Sequence, residues 1–375
     1  MTTHPLTPVP RRAAPEPTGP RLALVVGGTG IAGRALCREL VERGWQVLSL
    51  SRTAPEPRAG VRAVTADLTD PRSVATALAG LAPTHVFLTA WSPRATEAEN
   101  IAVNSAMVRH VLDAAGGAGR LCHVALVTGM KHYTGPFDAY AVGEISDTPF
   151  RETAPRLPVP NFYHAQEDEL WRAATRYRFS WSVHRAHTVI GHAVGNAMNM
   201  GTTLAVQAAL CRETGRPFVF PGNGVQWNGV TDMVDAGLLA RQMTWAATTE
   251  GLPSQAYNTV NGDTFRWRWM WPRIAELLGV EPEGYADRAR PLAEQMAGTE
   301  ETWRRIAARE GLVEPDLGRV ASWWHTDADL NRPVECFADL SRSRAAGFTE
   351  HVDTLAAFAS LFATLRAERV VPPRP

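Results

Sequence analysis

Residues 21–33 read RLALVVGGTGIAG, and this stretch decides the fold. Leu22 to Val26 is a short apolar, β-branched run of the kind that forms a buried strand. Gly27, Gly28, Thr29, Gly30, Ile31, Ala32 and Gly33 follow without a break. Next comes RALCRELVERG (34–44), with apolar residues at helical spacing and Gly44 suited to close the helix. The run WQVLSL at 45–50 reads as a second strand. Gly28-x-Gly30-x-x-Gly33 therefore sits after a strand and opens a helix within one strand–helix–strand unit. In that setting the first glycine permits a tight turn, and the second lets backbone approach a pyrophosphate. The third lets the helix pack closely on the sheet, with the helix N-terminus facing the anion. A glycine-rich turn without a ligand is the blander alternative.

The same alternation continues outward. VRAVTADL (61–68) is a strand, PRSVATALAGL (71–81) a helix and THVFLTAW (84–91) a strand. A helix around 97–115 leads to the strand HVALVTG at 123–129. Strands alternating with helices predict an α/β fold, a doubly wound Rossmann-type parallel sheet. After 190 the pattern changes. MNMGTTLAVQAALCRETG is helical, PFVFPGNG is a strand with a turn, TDMVDAGLLARQMTWAATT is helical and QAYNTVNG is a strand. The stretch 265–375 is mainly helical and rich in Trp, and Trp267, Trp269 and Trp271 read as core packing. No Gly/Ser-rich linker intervenes. The expected organisation is a disordered tail at 1–20 and a Rossmann core at 21–190. A smaller, mainly helical substrate lobe at 191–370 is integrated with that core, and 371–375 is a flexible end.

A chain of 375 residues suggests one large or two modest domains. Lys+Arg and Asp+Glu are both 38, with no basic stripe, so a nucleic-acid partner is not expected. No apolar run approaches the roughly 18 residues that span a bilayer, and the N-terminus lacks the apolar core of a signal peptide. Cys37, Cys122, Cys211 and Cys336 are scattered, which indicates neither a disulfide framework nor a zinc site. His132, His164 and His187 show no metal-ligand spacing, so no metal is expected. A soluble, cytoplasmic protein follows, with a homodimer left open. One count is sharper: the basic residues are 37 arginines and a single lysine, Lys131. Solvated surface charge tolerates the exchange of Lys for Arg. A site needing a compact ammonium of adjustable pKa does not. Lys131 is therefore a candidate for chemistry, against the alternative of chance survival.

An NAD site usually carries Asp or Glu at the end of the second strand, bound to the adenosine ribose. Here that strand ends in Leu50-Ser51-Arg52, and no acid appears until Glu56. Ser51 and Arg52 suit a 2′-phosphate instead, so the expected cofactor is NADPH. Arg52 as mere solvated charge is the alternative. Asp67 and Leu68, at the end of the third strand, are placed to reach the adenine edge, or Asp67 caps the following helix.

Lys131 lies just past HVALVTG, at the carboxyl edge where open α/β sheets hold their sites. It stands in TGMKHYTGPF (128–137), and PNFYHAQED (160–168) follows about 30 residues later. Many short-chain dehydrogenases place a lysine four residues after the catalytic tyrosine. Here that position is Glu167, so a tyrosine and a lysine from different elements must meet.

These two segments, with GGTGIAG, THVFLTAW, SVHRAHTVIG, RPFVFPG and YNTVNGDTFRWRWMWP, carry a resemblance. From about 21 to 370 the chain resembles the progesterone 5β-reductase/iridoid synthase-like enzymes of the short-chain dehydrogenase/reductase superfamily. The resemblance implies that Lys131 and Tyr163 are catalytic, and the sole lysine falls on that position independently. It implies hydride transfer from NADPH to the β-carbon of an enone or enal. The Tyr163 hydroxyl would stabilise the enolate oxygen, aided by the Lys131 ammonium. Thr89, Ala90, Trp91, Thr128, Thr188 and Val189 complete the expected cofactor contacts. Trp91, Tyr133, Phe137, Met198 and Met200 are read as pocket walls for a small apolar carbonyl substrate, or as ordinary core. Met130, His164 and Ala186-His187 depart from the family pattern. Two rival readings remain. One is an epimerase/dehydratase or carbonyl reductase of the extended short-chain type. The other is a non-catalytic NADP-binding regulator.

Overall fold

β1 (Leu22–Val26), β2 (Gln46–Ser51), β3 (Val61–Thr65), β4 (His85–Leu88), β5 (His123–Gly129) and β6 (Ser180–Ala186) pair in parallel. A seventh strand, Gln255–Thr259, pairs with β6, also in parallel. The order across the sheet is Gln255–Thr259, β6, β5, β4, β1, β2, β3. The computed structural model describes residues 19–53, 57–136, 145–193, 195–196 and 198–374. The chain runs outward from β1 to β3 and then crosses back to β4 on the other side of β1. That reversal opens a crevice at the carboxyl ends of β1 and β4, where doubly wound folds bind nucleotides.

Strand alternation decides the layers. Successive side chains point to opposite faces. Leu24 and Val26 join Val74 and Leu78 of α2 (Pro71–Leu78), Val108 and Leu112 of α3 (Glu97–Gly116) and Leu170 of α5 (Phe162–Tyr177). Ala23 and Val25 join Leu36 and Leu40 of α1 (Ile31–Glu42) on the other face. Leu239 and Met243 of the helix Ala236–Thr248 share that second face. So the chain beyond 190 does more than build a lobe: it supplies one sheet strand and one covering helix. A single-turn helix, α4 (Lys131–Thr134), follows β5 directly.

The rest of the C-terminal chain has its own core. Leu204 and Leu210 of α6 (Met200–Thr214), Trp267 and Trp271 of Trp267–Leu278, Trp303, Phe358 and Phe362 are buried together. Trp269 departs from the expected core packing, because the helix turns it outward; it is exposed and lies under the Arg273 guanidinium. The segment PFVFPGNG pairs only through Phe218–Val219, with Pro282–Glu283, outside the main sheet.

Candidate active site

The glycine turn is shaped by what surrounds it. Gly27 has φ +88, and a Cβ there would lie 2.9 Å from the Ala90 side chain at the end of β4. A Cβ on Gly28 would strike Ser49 Oγ, and one on Gly33 would strike the Gly27 carbonyl. At Gly30 the nearest such atom is 3.4 Å away, an ordinary contact, so this position is less crowded than its neighbours. Gly30 is the N-cap of α1, and no side chain caps the helix. A close-approach turn at an uncapped helix N-terminus is a cradle for a pyrophosphate. Thr29 is exposed and Ile31 is buried beside Ala193 and Ala236. The Thr89 hydroxyl is used internally, donating to the Val26 carbonyl at 2.8 Å.

At the adenosine end, Arg52 is exposed. The Ser51 hydroxyl does not face outward as expected, because it donates to the Thr53 carbonyl at 2.7 Å. Asp67 does not cap α2. Asp70 does, accepting from Arg72 N–H at 2.9 Å. Asp67 instead accepts from the Thr69 N–H and hydroxyl, which hold its carboxyl below the usual range; the charges of Arg52 and Arg94 act in the same direction. Leu68 is buried, with its carbonyl on His110 Nδ1. Glu56 lies outside the described residues.

At the other end, α4, which begins at Lys131, and the first turn of α5, which holds Tyr163, both lie at the carboxyl end of β5. Tyr163 lies in the first turn of α5, and its hydroxyl packs against Gly129, the last residue of β5. A Cβ on Gly129 would stand 3.1 Å from that hydroxyl and 3.0 Å from the Ala186 carbonyl of β6. Lys131 begins α4 two residues later, and its Nζ lies 5.7 Å from the centre of the Phe162 ring. Phe162 stacks on Trp91 at 5.6 Å, so Trp91 belongs to this end of the groove, 39% exposed. Thr128 Oγ1 is buried and has no hydrogen-bond partner, a place for a ligand's polar group. The cradle, the uncapped helix and this orphaned hydroxyl fit a dinucleotide lying along the carboxyl edge.

Several expected residues lie elsewhere. Tyr133 is fully buried, stacked on Phe150, with its hydroxyl shared between Asn258 and Arg185. It is a core residue, not a pocket wall. Met200 is likewise buried in the C-terminal core. Met198 is half-buried just before α6, and Phe137 lies outside the described residues. Val189 pairs with Val234 and packs near Ile31. Glu167, four residues after Tyr163, is buried between Arg156 and Arg185, at 2.9 and 3.4 Å. Burial and the nearby Arg185 and His164 push His132 down to about 2; burial with Arg156 and Arg185 pushes His164 to about 4. Both imidazoles are neutral near pH 7. Met130 is buried beside Tyr133 and Phe150.

Two residues named from the sequence make bonds that it does not announce. Asn161 caps α5 and also reaches Lys131. His187 lies buried between Asp232 at 2.7 Å and Arg332 at 2.6 Å. Arg332 also bonds Asp329, which accepts from the Thr188 hydroxyl at 3.0 Å. This relay ties the chain after β6 to the helix Trp323–Leu330, and it commits the Thr188 side chain internally. Among the described residues no cluster of His, Cys, Asp or Glu is placed to hold a metal, and no helix is long and apolar enough to cross a membrane.

The chain belongs to the NAD dependent epimerase/dehydratase family, whose pattern matches residues 23–258. Within it, the chain is an oxidoreductase of the progesterone 5β-reductase/iridoid synthase-like group. It is 35% identical to the 3-oxo-Delta(4,5)-steroid 5-beta-reductase of Arabidopsis thaliana, over 94% of this chain and 93% of that one. It is 34% identical to an (S)-8-oxocitronellyl enol synthase of Camptotheca acuminata, over 96% and 97%. Solved structures share the fold at lower identity. The UDP-glucose 4-epimerase of Thermus thermophilus in complex with NAD has TM-score 0.65 and 19% identity, covering 92% of this chain and 99% of that one. The Bordetella bronchiseptica enzyme WbmG in complex with NAD has TM-score 0.66 and 17% identity, over 95% and 97%.

Proposed function

We propose that this chain is an NADPH-dependent reductase of C=C bonds conjugated to a carbonyl, with Tyr163 and Lys131 acting at the carbonyl oxygen. The observation that carries the reading is the Tyr163 hydroxyl against Gly129 at the end of β5, with Lys131 two residues on. The names of the two plant relatives, a steroid 5-beta-reductase and an enol synthase, support the choice of bond. When bound, the reduced nicotinamide supplies a hydride. As the β-carbon accepts it, negative charge develops on the carbonyl oxygen. A fixed donor at that oxygen is worth most where charge appears late. Tyr163 donates its hydroxyl there. The Lys131 ammonium favours the tyrosinate and so makes Tyr163 a stronger acid. Trp91, partly exposed and backed by the buried Phe162 ring, offers an apolar surface suited to a small apolar enone or enal. Exposed Arg52, with no acid at the end of β2, supports NADPH over NADH.

The test is consumption of NADPH and NADH with a panel of enones and enals, beside saturated aldehydes and a nucleotide sugar. The expected result is NADPH-dependent formation of saturated carbonyls. Allylic alcohols as products, turnover of the nucleotide sugar alone, or no turnover would overturn it.

A further inference from the structure

We propose that Asn161 is a positioning residue that holds Lys131 and Tyr163 in register through their main chains. The turnover arm of this proposal rests on the reductase reading; its geometric arm does not. Asn161 is 4% exposed and extended, at φ −154 and ψ 120, immediately before α5. Its Oδ1 accepts from the Tyr163 N–H at 3.0 Å. Its Nδ2 donates to the Lys131 carbonyl at 2.7 Å. An N-cap needs only the first bond, and Asp or Ser supplies it as well as Asn. The second bond is what a cap does not explain.

That bond matters because of where it lands. α4 is one turn long, closed by Tyr133, Thr134 and Gly135 N–H groups on the Met130 and Lys131 carbonyls. A helix this short has no stability of its own and depends on tertiary anchors. α5, by contrast, is long and fixed. It packs along α3, and the Phe162 N–H donates to Glu97 of α3 at 2.7 Å. Asn161 thus transfers the rigidity of the α3–α5 pair to the turn that carries Lys131. Lys131 and Tyr163 sit on separate elements at the end of β5, and this link couples the two. An error of about 1 Å between such groups costs on the order of 100-fold in rate.

The experiment uses the full chain with Asn161→Ser and Asn161→Asp, which keep the cap acceptor and lose the amide donor. Because Lys131 is the one lysine, ¹³C-lysine labelling gives one carbonyl and one ε-carbon resonance, both from this residue. In both variants we expect a melting temperature close to wild type and NADPH affinity little changed. We expect an upfield shift of the Lys131 carbonyl and a displaced titration of its ε-carbon. Pre-steady-state NADPH oxidation should fall on the order of 10- to 100-fold, with KM nearly constant. Unmoved resonances overturn the proposal. So does wild-type hydride transfer, or a lowered melting temperature with normal turnover of the folded fraction, which would leave Asn161 a cap alone. If the wild type reduces no enone, the reductase reading fails by itself, and the two resonances still decide the link.

Discussion

At the ends of β2 and β3, Arg52 and Asp67 stand at the surface, and the Ser51 hydroxyl bonds its own loop. At the end of β5, the Tyr163 hydroxyl lies against Gly129, Phe162 stacks on Trp91 with the Lys131 ammonium 5.7 Å from its ring, and Asn161 uses both ends of its amide. The two ends of one groove are thus built to different tolerances. An anion is attracted by charge alone, and a solvated guanidinium can follow it. A transition state is recognised by position, so the groups that meet it are packed and bonded from several directions. The contrast extends beneath the site. Residues 21–84 contain no histidine. The β4–β6 half carries a buried polar ladder. His123 bonds Ser180 and Ser182 at 2.8 and 3.0 Å, Ser182 bonds His184 at 2.9 Å, and His184 bonds Gln242 at 2.9 Å.

The largest expected effect that would sharpen this contrast is acid lability. Burial pushes His184 to about 4 against its bond to Gln242; burial and Arg21 push His85 to about 4, and burial pushes His123 well below its usual value. These imidazoles are neutral in the fold, whereas the unfolded chain takes up protons near pH 6.5. The stability these imidazoles contribute is therefore fully present above pH 6.5 and falls as the pH drops towards 4. Thermal melts from pH 7.5 to 4.5 should show a steady decline. A flat profile would mean that the ladder is not neutral in the fold.

Next in size is Tyr163→Phe. Hydride transfer should drop about 100- to 1000-fold with NADPH affinity nearly unchanged. A normal transfer rate in the folded variant would erase the difference between the two ends. Lys131→Arg should cost on the order of 100-fold with the fold intact, since a planar guanidinium cannot take the place of the ammonium. Near-full turnover would show that this end tolerates the exchange made at every other basic position. The smallest effect belongs to the loose end. Arg52→Ala should weaken NADPH by about 1–3 kcal/mol, less at high salt, and leave NADH alone. Titration of both cofactors checks it, and equal wild-type affinities would remove Arg52 from the site.

The first unit, β1 to β2, was legible because an apolar run, a glycine turn and helical spacing agree. HVALVTG forms a strand over the same residues, 123–129. Lys131 stood out by count and Tyr163 by its motif. Tyr133 and Met200 were misplaced because an aromatic or methionine side chain looks the same at a pocket wall and in a core. The cap at Asn161 has a local signal, an Asn before a helix; its bond to Lys131 spans 30 residues and has none. The bonds from His187 to Asp232 and Arg332 span 45 and 145. Such pairings exist only once the sheet has formed.

The seventh strand has a consequence for how the chain is made. When residue 190 has been synthesised, six strands of the nucleotide-binding sheet exist, but β6 is an open edge. On the face that α1 packs, the part that Leu239 and Met243 will cover is still open. Gln255–Thr259 is complete 69 residues later, a wait of roughly 3–14 seconds at ordinary ribosome speeds. During that interval the nascent sheet presents an unpaired edge to its neighbours on the polysome. A chain stopped near residue 190 would keep β6 as an exposed edge, the liability that Gln255–Thr259 removes.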